Sequence, residues 1–428
     1  MTVRLSDIEA ARERLKSIIS RTPMLFDGRL SRELGLSHHS DSQIGTRPSS
    51  GVSGGAYLKA ESLQMGGSFK IRGAYNKISQ LSEEDLKRGV IAASAGNHAQ
   101  GVALAASIVG TKATIVCPEF SPLTKLNATR GFGAEVILHG NILDESIAHS
   151  RELQREHGYT YVHAFDDEQI IAGQGTIGLE ILEDLPDVTT IVVPIGGGGL
   201  MSGIATAAKA LKPEIRLVGV QAANSSWVRP SFQAGHAVAA QMAPTIADGI
   251  AVKKPGEVTL PILQALVDEI VEVTEDEIAR AIFFGVQNNR LVLEGAGAAG
   301  LAAALAGKFK TSPDDVVCVL LCGGNIDANL LARVLEQVLV RQGRYVMLKL
   351  LVLDRPGSLA GILRVAAEQG ANVIEVFHRR AMWLAPLGRV GIEVLLEVRD
   401  REHANTVEKS LEAEGYQVER ETQGEWEQ

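Results

Sequence analysis

The sequence contains few cysteines and no long apolar segment. Three cysteines in 428 residues, Cys117, Cys318 and Cys322, are too few for a disulfide framework in a chain of this length. No group of cysteines and histidines has the spacing of a zinc site, so we predict no bound metal. No apolar run approaches the roughly 18 residues that a membrane helix needs, and the first residues read as an amphipathic helix, not a signal peptide. We expect a cytoplasmic protein without a membrane partner.

Aromatic residues and positive charge are also scarce. Aromatic side chains make up 4% of the chain, and the formal net charge is -9. Such a surface neither attracts a phosphate backbone nor offers many platforms for base stacking, so we expect no nucleic-acid partner. With 45% hydrophobic and 22% charged residues, the composition is that of a globular protein, and the length suits two or three domains.

Short apolar runs alternate with helical patterns between about residues 57 and 325. The runs that read as buried strands cover residues 90–93, 113–116, 135–138, 190–193, 217–220 and 316–321. This alternation predicts an α/β fold with parallel sheets wound by helices. Ligands bind such folds beyond the carboxyl ends of the strands. The glycine-rich turns that follow the strands are therefore the candidate sites.

Two stretches depart from this pattern. Residues 37–56 are rich in Ser, Gly, His, Asp and Pro, and we interpret them as a mobile surface insertion without a catalytic role. After about Leu339, the order strand, helix, strand, strand, helix, strand predicts a ferredoxin-like βαββαβ domain. We therefore predict a catalytic domain over residues 1–338 and a separate small domain over residues 345–428.

The first candidate turn contains Lys70, in the run Gly66-Gly67-Ser68-Phe69-Lys70-Ile71-Arg72-Gly73-Ala74. A lysine can hold an aldehyde cofactor as a Schiff base only if its amine is desolvated and partly deprotonated. The position of Lys70 between Phe69 and Ile71, at the start of a helix, favours both conditions. Most lysines are solvated surface charges, so the support for Lys70 has to come from the other turns.

The second turn is a run of four glycines, Gly196–Gly199, followed by Leu200. It lies between a predicted strand and a predicted helix, where successive backbone N–H groups can turn toward one anion. No Lys-Ser or Lys-Thr pair follows, so the run differs from a nucleotide P-loop and favours a single phosphate. The alternative interpretation is a plain tight turn.

Two further turns follow predicted strands. Ser94-Ala95-Gly96-Asn97-His98 offers backbone donors for a substrate carboxylate and an amide that can reach a ring oxygen; the alternative is a helix cap at Ser94 or Asn97. Cys322-Gly323-Gly324-Asn325 offers a neutral thiol that can face a pyridine nitrogen without protonating it. The alternative there is a small buried cysteine that ends a strand.

Gly295-Ala296-Gly297-Ala298-Ala299-Gly300 matches the dinucleotide-binding fingerprint letter for letter. A lone match of this kind is weak. We interpret these small residues as allowing a helix to pack closely against the sheet, with Glu294 facing the site.

Together the turns resemble the serine/threonine dehydratases, which are pyridoxal-phosphate enzymes of the tryptophan-synthase-β fold (fold type II). The matching segments, in chain order, are residues 68–74, 94–98, 196–199 and 322–325; residues 245–252 are similar to the medium-length threonine dehydratases. The resemblance covers about residues 5–335 and implies two parallel-sheet subdomains, with the smaller over about residues 64–165. The tail, with Asp354-Arg355-Pro356-Gly357-Ser358-Leu359, resembles an ACT domain, a module that senses small effectors.

The resemblance implies a role for each turn. Lys70 would hold pyridoxal 5'-phosphate and remove the α-proton of the substrate, with Ser68 as a second catalytic residue. The implied cofactor contacts are Lys70, Phe69, Asn97, Gly196, Gly197, Gly198, Gly199, Leu200, Glu294 and Cys322. The implied contacts to the substrate carboxylate are Ser94, Ala95, Gly96, Asn97 and His98. In the tail, isoleucine or valine would bind near Gly357, Leu359 and Asn372, between two ACT domains of a homo-dimer or homo-tetramer.

The implied reaction is conversion of L-threonine to 2-oxobutanoate and ammonia, modulated by an effector. A serine-preferring dehydratase remains an alternative, because the one methyl group that distinguishes threonine from serine contributes only about 1–3 kcal/mol to discrimination between them. Serine racemases have a serine where this chain has Ala95, and residues 221–225 lack the acidic ligands of their metal site, so racemisation should be weak. A sensor of amino acids on an inactive fold is the non-enzymatic alternative, and the ACT-like tail without an effector is a dimerisation module.

Overall fold

The computed structural model describes residues 2–37, 54–379 and 386–421, which form two compact units, Met1–Asp327 and Ala328–Gln428. The insertion predicted over residues 37–56 lies mostly outside the described residues, although Gly55 and Ala56 belong to a strand. The division after Asp327 differs from the domain boundary that we placed at residues 338–345. The helix that starts at Ala328 packs against the strand that follows it and so belongs to the second unit.

The first unit alternates strands and helices along most of its length. Its strands are β1 (Met24–Phe26), β2 (Gly55–Lys59), β3 (Val90–Ala93), β4 (Ala113–Cys117), β5 (Glu135–Leu138), β6 (Thr160–Tyr161), β7 (Thr190–Pro194), β8 (Arg216–Ala222), β9 (Glu269–Val273) and β10 (Val316–Leu320). Its α-helices are α1 (Leu5–Leu15), α2 (Gly28–Glu33), α3 (Lys70–Ile78), α4 (Glu83–Arg88), α5 (Asn97–Val109), α6 (Leu123–Gly131), α7 (Leu143–His157), α8 (Glu168–Asp184), α9 (Gly199–Leu211), α10 (Val228–Ala234), α11 (Thr259–Leu266), α12 (Glu275–Phe284) and α13 (Gly295–Leu305).

These strands form two sheets. One has the order β1-β2-β10-β7-β8-β9 and is parallel except for β1, which runs antiparallel to β2. The other has the order β5-β4-β3-β6 and is parallel throughout. Every residue of β3, β4, β7 and β10 is buried, as expected for parallel strands covered on both faces. The predicted fold, with two parallel-sheet subdomains, is confirmed.

Helix α13 contains the glycine pattern that resembles a dinucleotide fingerprint. Its residues from Gly295 to Ala304 are buried. A Cβ atom added at Gly297 would lie 2.0 Å from the carbonyl oxygen of Gly323, and one added at Gly300 would lie 3.3 Å from that of Leu320. The pattern therefore serves the close packing of a helix on a strand end, as predicted.

A cluster of buried charges lies beside α3. Arg72 is fully buried and donates to both carboxylate oxygens of Glu61, at 2.7 and 2.8 Å, and to both of Glu180, at 2.6 and 3.0 Å. Lys59, also fully buried, lies 2.7 Å from Glu180 and donates to the carbonyl of Thr22 at 2.8 Å. Charges are stable in such a place only when they are paired and fully hydrogen-bonded, as these are.

The second unit consists of α14 (Ala328–Arg341), β11 (Tyr345–Leu353), α15 (Ser358–Glu368), β12 (Asn372–Arg379), β13 (Arg389–Glu397), α16 (Arg401–Ala413) and β14 (Gln417–Arg420). Its antiparallel sheet has the order β12-β13-β11-β14, and the βαββαβ prediction is confirmed. Gly357, at φ 93°, directly precedes α15, which contains Leu359, and Asn372 begins β12. In the residues described for both units, no helix is long and apolar enough to cross a membrane.

Candidate active site

A cavity of about 1280 Å³ lies in the first unit, beside the turns that follow β3, β6, β7 and β10. It is lined by nearly all the site residues predicted for this unit: Phe69, Lys70, Ser94, Ala95, Gly96, Asn97, His98, Gly196, Gly197, Gly198, Gly199, Leu200, Glu294 and Cys322. In each of the two sheets the carboxyl ends of the parallel strands meet at one edge, and the cavity receives the turns after β3 and β6 from one sheet and those after β7 and β10 from the other.

Ser68 is the exception among the predicted residues. It is 2% exposed and is not among the residues that line the cavity. Its backbone is extended and forms an antiparallel bridge with Gly323, while the next amide, that of Phe69, donates to the carbonyl of Cys322 at 3.3 Å. Ser68 therefore helps to connect the Lys70 turn to the Cys322 turn, and the catalytic role predicted for it gains no support from these backbone contacts.

Lys70 is the first residue of α3, and its amine donates to the carbonyl of Ala164 at 3.0 Å. The helix comes so close to α5 that a Cβ atom at Gly101 would lie 2.9 Å from the Cβ of Lys70. Burial lowers the pKa of Lys70 to about 8, against the opposing effects of Cys322 and Glu294. This lowered pKa supports the desolvated, partly deprotonated amine that the sequence predicts at Lys70.

We expect Lys70 in the ligand-free protein to react with acetic anhydride with a midpoint near pH 8, as its lowered pKa requires. Below that pH the amine is protonated and unreactive. Between that pH and about 10.4, the usual pKa of lysine, Lys70 would be largely neutral while an ordinary lysine is still charged. Competitive labelling against Nα-acetyl-lysine amide, followed by mass spectrometry of the Lys70 peptide, measures the midpoint. A midpoint equal to that of the standard would contradict the burial of the amine.

The glycine run forms the turn between β7 and α9. Gly198 has φ 96°, a conformation that strongly favours glycine, and a Cβ atom at Gly197 would lie 2.3 Å from the ring of Phe165. Within the described part of the chain, the amides of Gly197, Gly198 and Gly199 donate to no protein acceptor. Three unpaired N–H groups beside a helix N-terminus can bind one anion, so the plain-turn alternative fits less well.

The turn from Ser94 to His98 leads into α5. Gly96 is the N-cap residue and has no side chain to cap the helix, so capping by Ser94 or Asn97 does not occur. The Ser94 hydroxyl accepts from the Gly96 amide at 3.2 Å, and the His98 ring contacts the carbonyl of Val162 at 2.9 Å. Burial, followed by Lys70, lowers the pKa of His98 to about 3, so this ring is neutral. The first amides of α5 remain available to a carboxylate.

Asn97 connects the buried Glu294 to the partly buried Asn325. Its Nδ2 donates to Glu294 at 2.5 Å, and its Oδ1 accepts from Asn325 at 2.8 Å. Burial and then Asp248 raise the pKa of Glu294 to about 7, against the effects of Lys125, the Asn97 hydrogen bond and Lys70. Because an amide nitrogen carries two protons, Asn97 still has one to donate to a ligand.

Cys322 follows β10 and is buried at the cavity wall. Its Sγ lies 3.4 Å from the carbonyl of Ala296 and can donate to it. Burial, followed by the charge of Glu294, raises the pKa of this thiol well above its usual range. A raised pKa favours the neutral thiol and so supports the role predicted for Cys322.

Some residues around the cavity were not predicted. The segment after β6 supplies Ala164 for Lys70, the ring of Phe165, and His163, whose Nδ1 accepts from the Asp166 amide at 2.8 Å. β6 spans two residues, too short for an apolar run to reveal it. Lys125 forms an ion pair with Asp248 at the cavity wall, and sequence spacing gives no sign of such a contact.

These residues fit pyridoxal 5'-phosphate. The unpaired glycine amides suit its phosphate, Lys70 suits its aldehyde, and Cys322 suits a ring nitrogen that is not protonated. In the part of the chain that is described, no three His, Cys, Asp or Glu side chains are grouped to hold a metal ion.

Comparison with known proteins gives consistent results. A model of the family "Pyridoxal-phosphate dependent enzyme" matches residues 46–323. The L-threonine ammonia-lyase of Thermotoga maritima is 48% identical over 97% of this chain and 99% of its own length. Threonine deaminase isoform 2 of Solanum lycopersicum (TM-score 0.70, 38% identity) covers 78% of this chain with 86% of its own. Maize serine racemase (TM-score 0.71, 32% identity) covers 80% of this chain with all of its own. The chain belongs to the pyridoxal-phosphate dependent enzymes.

Proposed function

We propose that this protein is a carbon–nitrogen lyase that converts L-threonine to 2-oxobutanoate and ammonia. The observation that carries the proposal is the convergence of Lys70, the glycine run 196–199 and the turn 94–98 on one cavity. The L-threonine ammonia-lyase of Thermotoga maritima resembles the chain over nearly its full length and supports the choice of reaction.

Different residues of the cavity bind the cofactor and the substrate. The amides of Gly197–Gly199 would bind the phosphate, the second N–H of the Asn97 side chain would donate to the ring oxygen, and the Cys322 thiol would lie beside the ring nitrogen. The first amides of α5, with the Ser94 turn, bind the substrate carboxylate, since a helix N-terminus attracts an anion. Bound pyridoxal phosphate supplies the aldehyde that captures the substrate amine and the conjugated ring that withdraws electrons from Cα.

Lys70 performs the proton transfer. Its amine, whose pKa burial lowers to about 8, accepts the α-proton of the substrate at Nζ. The hydroxyl group then leaves Cβ, and one molecule of water is lost. Hydrolysis at the nitrogen consumes one molecule of water, so one threonine gives one 2-oxobutanoate and one ammonia.

Racemisation is less well supported, although serine racemases share the fold. It needs a proton donor on the face of Cα opposite Lys70. The residue at the position of the racemase serine is Ala95, which lines the cavity and carries no hydroxyl group. The sensor alternative requires an inactive site, and the lowered pKa of Lys70 argues against it.

For the second unit we propose binding of isoleucine or valine near Gly357, Leu359 and Asn372, between two copies of the chain. The support is the ferredoxin-like sheet and the turn before α15, where Gly357 has a positive φ. Asn372 Nδ2 now donates to Glu397 at 3.3 Å, a weak contact that a ligand can replace.

We expect the purified protein to form 2-oxobutanoate and ammonia from L-threonine, and to act less efficiently on L-serine. Because the substrates differ by one methyl group, the expected ratio of kcat/KM is about 10-fold to 100-fold. Coupled assays of both products, with and without isoleucine or valine, measure the reaction and its modulation. A higher kcat/KM for serine would reverse the specificity, and identical kinetics with every effector would remove the regulatory proposal.

A further inference from the structure

The carbonyl groups of the glycine run are held from outside the cavity. Trp227 is fully buried next to α10, and its indole Nε1 donates to the carbonyl of Gly196 at 2.9 Å. The neighbouring amide, that of Val228, donates to the side chain of Gln221 at 2.9 Å, which anchors the indole's backbone to the end of β8. Trp227 is thus a fixed group, not a loosely packed ring.

Thr259 holds the next carbonyl. It is fully buried at the start of α11, and its hydroxyl donates to the carbonyl of Gly197 at 2.8 Å. The same hydroxyl accepts from the Gly256 amide at 3.1 Å, so its single proton is directed to Gly197. A Cβ atom at Gly198 would lie 2.9 Å from the Cβ of Thr259, which shows how closely this side chain approaches the run.

These two hydrogen bonds also fix the orientation of the neighbouring amides, because of the geometry of the peptide bond. In a planar trans peptide, the carbonyl of one residue and the N–H of the next point in opposite directions. With the carbonyls of Gly196 and Gly197 drawn outward, the amides of Gly197 and Gly198 point inward. The carbonyl of Gly198 accepts from Ser202 inside α9 at 2.8 Å, which fixes the Gly199 amide in the same way.

The geometry points to Trp227 and Thr259 as positioning residues that preorganise the anion site by fixing the two outer carbonyls. This inference rests on the proposed function, in which the inward amides bind the phosphate of the cofactor. Without the hydroxyl or the indole N–H, one buried carbonyl loses its partner, and the peptide is free to rotate its N–H away from the cavity. Four consecutive glycines make that rotation easy, so the run needs external contacts to stay in one conformation.

Thr259 also connects the anion site to the Lys70 side of the cavity. Its backbone amide and that of Val258 donate to one carboxylate oxygen of Asp166, at 3.3 and 2.9 Å. Asp166 lies two residues after Ala164, whose carbonyl accepts from Lys70. The segment 163–166 therefore positions both the lysine and the carbonyl anchor of the glycine run.

The test compares two aldehydes that differ only in the phosphate. The full-length chain is freed of cofactor, and dissociation constants for pyridoxal 5'-phosphate and for pyridoxal are measured by equilibrium dialysis. Thr259→Val removes the hydroxyl with little change in volume, and Trp227→Phe removes the indole N–H. Each should weaken binding of pyridoxal 5'-phosphate by about ten-fold, as expected for a buried group left without its partner, and leave binding of pyridoxal unchanged.

Two control variants define the outcome. Thr259→Ser restores the hydroxyl and should bind both aldehydes like the wild type. Thr206→Val removes a buried hydroxyl of α9 that donates only to the Ser202 carbonyl within its own helix, and should also change neither constant. If Trp227→Phe does not fold, the pair Thr259→Val and Thr259→Ser decides alone.

The inference is overturned if Thr259→Val binds pyridoxal 5'-phosphate like the wild type, or if it loses both aldehydes equally. A wild-type protein that does not prefer pyridoxal 5'-phosphate to pyridoxal contradicts a different claim, because it removes the glycine run as the phosphate site in the proposed function. The two failures are therefore distinguishable.

Discussion

Replacing Lys70 with alanine is expected to lower the turnover of L-threonine by about 10³-fold or more, since the variant loses the general base. It should also lose the visible absorbance of covalently held cofactor, because no other amine takes its place. The glycine run and the turn 94–98 do not depend on the lysine side chain, so the variant should still bind pyridoxal 5'-phosphate reversibly. Assays of 2-oxobutanoate and absorbance spectra of the dialysed protein measure the two effects.

A suitable control is Lys87→Ala, which removes an exposed lysine of α4, a helix that contributes no residue to the lining of the cavity. This variant should retain wild-type turnover and absorbance. Substantial turnover by Lys70→Ala would show that another group removes the α-proton. Retained absorbance after dialysis would show that the cofactor is attached elsewhere.

The largest expected effect on stability is that of Arg72→Met. This change removes the guanidinium that is shared by Glu61 and Glu180 and leaves two buried carboxylates with fewer partners. Breaking a buried ion pair from one side costs about 3–5 kcal/mol. We expect a loss of that size in the free energy of unfolding of the first unit, measured by urea denaturation followed by circular dichroism.

The pH dependence of this loss follows from Glu180. Burial raises the pKa of Glu180, but the charge and hydrogen bonds of Arg72, with those of Lys59, outweigh burial and lower it below the usual value. A carboxyl group with a lowered pKa contributes stability that is present above its unfolded pKa and disappears as the pH falls through its folded pKa. The difference between wild type and Arg72→Met should therefore shrink in acid. Arg364→Met, which removes an exposed ion pair with Glu368 and Glu414 in the second unit, should lower the free energy of unfolding much less than Arg72→Met does, because solvent screens exposed charges. Equal losses of unfolding free energy in Arg72→Met and Arg364→Met would mean that the buried cluster stabilises the protein no more than an exposed ion pair does.

Much of the fold could be predicted because parallel strands that are covered on both faces appear in the sequence as uninterrupted apolar runs. The strands β3, β4, β7, β8 and β10 were found in this way, as was the partly exposed edge strand β5, and the order of strands and helices after Leu339 indicated the second unit. The strands that escaped lack such a run. β1 and β6 contain three and two residues, and β9 carries Glu269 and Glu272 at the edge of its sheet.

The candidate site was predictable to the extent that its residues lie in turns after strands. Lys70, Asn97, the glycine run and Cys322 all lie there, and the structure brings them to one cavity. The role of Ser68 stays a prediction; the structure adds the bridge that its extended backbone forms with Gly323, which the sequence did not indicate. The roles of Trp227 and Thr259 could not be predicted from the sequence. Each side chain donates to a glycine carbonyl, 31 and 62 residues away respectively, and such a contact produces no periodic sequence pattern.

The small residues of α13 show that a short sequence motif can result from close packing alone. The distance between Gly297 and the Gly323 carbonyl leaves no room for even one methyl group, so natural selection would preserve glycine there in the absence of any nucleotide. The small residues of such a motif indicate how closely a helix must approach the end of a strand. Dinucleotide-binding proteins and this enzyme therefore share the same sequence pattern because both need two backbones to come unusually close. Only the dinucleotide-binding proteins use the space between the backbones to bind a ligand.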